Sequence, residues 1–75
     1  METVGEFLTR WRKRRSMSQT EAAEKVDLSR TTVARWEAGK AKPTFDGFVS
    51  LLAVYDVPSD EWAHVRTLVK PRGES

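Results

Sequence analysis

The chain contains no cysteine. No disulfide framework can brace it, and no thiolate can ligate a metal. Its single histidine, His64, has no Cys, Ser or second His grouped with it in the sequence. A surface or interface place is therefore expected for it, not catalysis. No glycine-rich phosphate loop and no metal-ligand spacing occurs, so neither a cofactor nor a metal is expected. No apolar run is long enough to span a membrane, and the N-terminus has no signal-peptide pattern. Internal repeats and low-complexity linkers are absent as well. These absences leave no catalytic residue to nominate and no membrane role.

What is present fits one small domain. A chain of 75 residues buries only about 60 % of its unfolded surface. Its core must be rich in large side chains, and three Trp and three Phe supply them. The net charge is only +2, but it is unevenly spread. Residues 10–42 hold ten Lys/Arg against four acids, a balance of +6. Residues 43–69 hold one Arg against four acids, a balance of −3. One face of the folded chain is expected to be basic and another acidic, the footprint of a one-sided binder of polyanions.

The apolar periodicity gives five helices and no strand. Val4, Phe7, Leu8 and Trp11 form one stripe on a helix from about Thr3 to Arg15. A second helix covers about Gln19–Val26. Ser18 caps it, and Glu21 completes a capping box. Ala22, Ala23 and Val26 face inward; Gln19 either joins them or faces outward at the helix start. Asp27 fills the turn in the left-handed conformation, which Asp tolerates, and Leu28 is buried. Ser29 caps a third helix over about Arg30–Ala38, which Gly39 ends. A fourth covers about Phe45–Tyr55 behind the N-cap Thr44, with Phe48, Val49, Leu51, Leu52 and Tyr55 as packing residues. Gly47 inside it costs about 1 kcal/mol against alanine; it marks either a close approach or a late helix start. Ser59 is expected to cap a fifth helix, with Asp60 and Glu61 at its positive end. Trp62, Val65, Leu68 and Val69 make its stripe. The domain is expected over 1–69, with a flexible tail at 70–75.

On the third helix, Val33 and Trp36 point one way, while Arg30, Thr31, Thr32 and Arg35 point elsewhere. An apolar back with Arg and Thr in front suits a helix that reads DNA bases. Arginine can make two hydrogen bonds to guanine, and a threonine methyl can touch that of thymine. Two short helices with a tight turn, the second carrying arginines, can dock in the major groove.

Residues 18–43 resemble the lambda-repressor/Cro-type (XRE) helix-turn-helix family. The likeness rests on S-Q-x-E-x-A (Ser18 to Ala23), L-S-x-x-T-V (Leu28 to Val33) and W-E-x-G-K-x-K-P (Trp36 to Pro43). It extends over about residues 4–69. Arg12 falls where such domains carry an arginine on the first helix, and Glu37 where they carry its partner. Asp27 and Asp56 stand where the family often has glycine.

The resemblance implies a compact, all-α, five-helix domain that binds double-stranded DNA as a transcriptional regulator, most commonly a repressor. It implies a homodimer on an inverted repeat, and a cytoplasmic place in a bacterium or phage host. Arg30, Thr31 and Arg35 match positions facing base edges, flanked by Ser29 and Thr32. Gln19, Lys40 and Lys42 are the expected phosphate contacts, with Arg14 as a fourth. Lys13 and Arg15 are expected on a solvated face. Arg12 and Glu37 should form a semi-buried ion pair. Trp62, Val65 and Val69 either make the dimer contact or close the domain's own core. Three rival readings stand beside the regulator. One is an antitoxin or phage or plasmid control protein that binds its partner and represses its own operon. Another is the N-terminal module of a longer regulator with a C-terminal effector domain. The third is an adaptor that binds protein, not DNA.

Overall fold

A computed structural model of the chain describes residues 2–65. Among them are five helices and no strand: α1 Val4–Arg14, α2 Gln19–Lys25, α3 Arg30–Glu37, α4 Phe45–Val54 and α5 Ser59–Val65. The expected bounds of the first four run one residue long because the flanking residues are caps, not helix. Thr3 caps α1 and closes a box with Glu6, and Ser18 does the same for α2 with Glu21. The hydroxyls of Ser29 and Thr44 accept from the amides of Thr32 and Gly47. Ser59 differs from expectation: it is the first residue of α5 and not its cap. The helix starts earlier because the Glu61 amide reaches back to the Pro58 carbonyl at 2.9 Å.

All of α1 to α4 end in the same way. A residue with positive φ follows each: Ser16 (58°), Asp27 (58°), Gly39 (77°) and Asp56 (55°). The next amide then reaches back five residues, as in Met17 to Arg12, Leu28 to Ala23, Lys40 to Arg35 and Val57 to Leu52. These are Schellman closures, which satisfy carbonyls that a helix end would otherwise strand. Three of the four residues that follow, Met17, Leu28 and Val57, are apolar and join the core or its edge. These three closures therefore end a helix and also aim the chain inward, while Lys40 after α3 stays exposed.

The core lies between α1, α2, α3 and α4, with Ala22 and Ala23 of α2 buried in it. Phe7, Leu8, Val33, Leu51 and Tyr55 are fully buried, and Trp11 and Trp36 nearly so. Two glycines let the helices close on each other. A Cβ on Gly5 would stand 2.7 Å from the Trp36 carbonyl oxygen and closer still to that of Glu37, so α1 rests directly on the end of α3. A Cβ on Gly47 would meet the Trp36 indole at 2.5 Å. Of its two sequence readings, the close approach holds, since α4 begins at Phe45, ahead of it.

Candidate nucleic-acid interface

α2 and α3 are joined by Val26 to Ser29, with Asp27 in the left-handed conformation and Leu28 packed against the core. Val33 and Trp36 bury the back of α3. Arg30, Thr31 and Arg35 are exposed on its front, and Lys40 and Lys42 are exposed just beyond its end.

The end of α3 is held by a polar network. Arg12 Nε donates to Glu37 Oε2 at 2.7 Å, and Arg12 Nη2 to Oε1 at 3.0 Å. Arg12 Nη1 donates to the Met17 carbonyl at 2.7 Å, ahead of α2. The two side chains keep only 11 % and 6 % of their surface exposed. Gln19, the first residue of α2, donates its Nε2 to Glu37 Oε1 at 3.0 Å. Burial pushes the Glu37 carboxyl up, but the hydrogen bonds from Arg12 and Gln19 and the charge of Arg12 outweigh it. The group is held below the ordinary carboxylate range. Bonding to Glu37 raises Arg12 in turn. Tyr55, buried nearby, is pushed up to about 12 by burial and by the Glu37 charge. One carboxylate thus ties the end of α3 to the start of α2 and to α1.

The basic residues divide into two sets. Arg10 forks onto Glu2 at 2.8 and 3.0 Å. Arg15 donates to the Tyr55 and Asp56 carbonyls at 2.6 and 3.0 Å, closing the negative end of α4. Arg15 was expected on a solvated face. It serves the fold instead, because those carbonyls lack helical partners. Arg10, Arg12 and Arg15 are therefore spent inside the molecule. Arg14 sits with its guanidinium 4.9 Å from the centre of the Trp11 ring and has no acidic partner among the described residues. Lys13, Lys25, Arg30, Arg35, Lys40 and Lys42 likewise form no ion pair among those residues. Four of these seven cations lie on α3 or the loop that leaves it.

Several nominated residues have other engagements. Ser29 Oγ and Thr32 Oγ1 are 2.9 Å apart, and Ser29 Oγ also accepts the Thr32 amide. Both hydroxyls are thus tied to the cap of α3. Gln19 lends one amide hydrogen to Glu37. Trp62 packs against the core and donates its indole N–H to the Val57 carbonyl at 3.1 Å, closing the chain's own interior. The side chain of Val65 and all of Val69 lie outside the described residues. Sequence reasoning had no signal for the Gln19 to Glu37 bond or for the anchoring by Arg15, since each joins residues far apart in the chain.

A helix pair with a locked back and an exposed basic front defines a DNA-binding helix-turn-helix domain. The helix-turn-helix family model matches residues 8–62, and the chain belongs to that family, in its lambda-repressor-like, XRE branch. Neither a curated protein nor a solved structure matched the chain. Among the described residues no helix is long and apolar enough to cross a membrane, and no cluster of side chains could hold a metal ion.

Proposed function

We propose that this domain is a sequence-specific regulator of transcription, acting as a repressor on double-stranded DNA. The front of α3 carries the reading: Arg30, Thr31 and Arg35 are exposed and uncommitted while Val33, Trp36 and Glu37 fix its back. α3 enters the major groove, and the start of α2 crosses the backbone above it. Arg30, Thr31 and Arg35 contact base edges, with Ser29 and Thr32 supporting them through the α3 cap. Gln19, with its remaining amide hydrogen, and Lys40, Lys42 and Arg14 contact phosphates and set the register. Two copies bind an inverted repeat, with Trp62, Val65 and Val69 as the residues proposed for the dimer contact.

The test is selection of bound sites from a random duplex library by the purified chain at near-physiological salt. An inverted repeat with half-sites about one helical turn apart is the expected result. Binding that varies with salt but enriches no sequence would overturn the proposal.

A further inference from the structure

The chemistry of the α3 front narrows the bases it can select. Amide side chains read adenine through its N6 and N7, and carboxylates accept from cytosine N4. This chain has no asparagine and a single glutamine. That glutamine, Gln19, lies outside α3 and donates to Glu37. The one carboxylate on α3, Glu37, is closed off by Arg12 and Gln19. The hydroxyls of Ser29 and Thr32 are turned to each other and to the helix cap. Three exposed side chains remain uncommitted, Arg30, Thr31 and Arg35. Two are guanidiniums, whose paired donors match guanine O6 and N7; the third offers a methyl group that suits thymine and a single hydroxyl that discriminates little between bases.

We infer that the recognition helix selects guanine at two positions of each half-site, through Arg30 and Arg35, and a thymine methyl through Thr31, and has no amide with which to make the paired hydrogen bonds that select adenine. The inference rests on the preceding reading that α3 enters the major groove. Geometry sets the spacing. Arg30 and Arg35 are five residues apart, about 7.5 Å along the helix axis and about 140° around it, so the two side chains reach separate base pairs and not one. Thr31 and Arg35 lie four apart and share one face. The thymine is therefore expected beside the guanine that Arg35 reads.

The experiment takes the best duplex from the random selection and replaces single bases. Replacing either guanine with 7-deazaguanine removes the N7 acceptor and leaves pairing intact. Affinity should fall about tenfold at each position. Replacing the thymine with deoxyuridine removes only its methyl, and a loss of about fourfold is expected. Arg35→Ala should lose preference for one guanine and keep the other. Arg35→Lys keeps the charge without the fork, so it should lose that preference while holding its affinity for unrelated DNA. Melting curves equal to the parent's would show that both variants fold, as an exposed position predicts. A selected motif that lacks guanine, or one indifferent to 7-deazaguanine, would overturn this inference while leaving sequence-specific binding in place. A selection that yields no motif would overturn the underlying reading, and this inference with it.

Discussion

Taking the Glu37 carboxylate out of water costs several kcal/mol unless its oxygens are satisfied. Three donated hydrogen bonds satisfy them, two from Arg12 and one from Gln19. Glu37→Gln would strand the Arg12 charge in a site with little water, which for a buried pair costs about 3 kcal/mol. For a domain of this size, the melting temperature should fall by roughly 10–20 °C. A surface pair would cost less than about 1 kcal/mol, so an unchanged melting temperature would remove the network from the list of things that hold α3. The pH dependence has a definite sign. The folded carboxyl lies below its ordinary value of 4.5, so its stabilisation is complete above that value. It is lost as pH falls through the lower, folded value. The gap in stability between the parent and Glu37→Gln should therefore narrow as pH falls from about 5 to about 3. Thermal melts across that range measure it.

At the scale of the helices, the four Schellman closures set where the chain turns, and three of them use a residue other than glycine. A side chain in the left-handed region carries a steric cost that glycine avoids. Asp27 adds a second cost, since its negative charge stands at the negative end of α2. Asp27→Gly should therefore stabilise the domain by about 1 kcal/mol, a rise of roughly 4–8 °C in melting temperature. Gly5 is the opposite case. Its missing Cβ is where the backbone of Trp36 and Glu37 lies, and backbone cannot swing aside as a side chain would. Gly5→Ala should destabilise by about 2–3 kcal/mol, read from denaturant midpoints. The two predictions also mark what the sequence could reveal. Caps such as Ser18, Ser29 and Thr44, and the left-handed turn at Asp27, depend on neighbours within a few residues and were legible. The demand for glycine at position 5 is imposed by a helix about thirty residues away, and no local pattern announces it. The anchoring role of Arg15 is hidden from the sequence for the same reason, because its acceptors lie 40 and 41 residues along the chain.

For the whole molecule, charge is better judged by commitment than by count. The +6 balance of residues 10–42 includes three arginines whose partners lie inside the domain, so the balance alone does not say which cations can meet a polyanion. Among the described residues, the seven cations without an acidic partner include Lys40 and Lys42 on the loop after α3. These two classes should behave differently toward salt. Each phosphate neutralised on duplex DNA steepens the fall of log K with log salt by about 0.9. Lys40→Ala and Lys42→Ala should each reduce that slope by about 1 per protomer, with little change in melting temperature. Arg15→Ala should do the reverse: it should lower the melting temperature and leave the slope unaltered below the melt, because its guanidinium already holds the end of α4. Titrations of one fixed duplex at several salt concentrations, each paired with a thermal melt, separate the classes. If all three variants lowered the slope alike, the basic residues would be acting as a diffuse cloud. The division between cations that build the domain and cations that bind DNA would then be wrong.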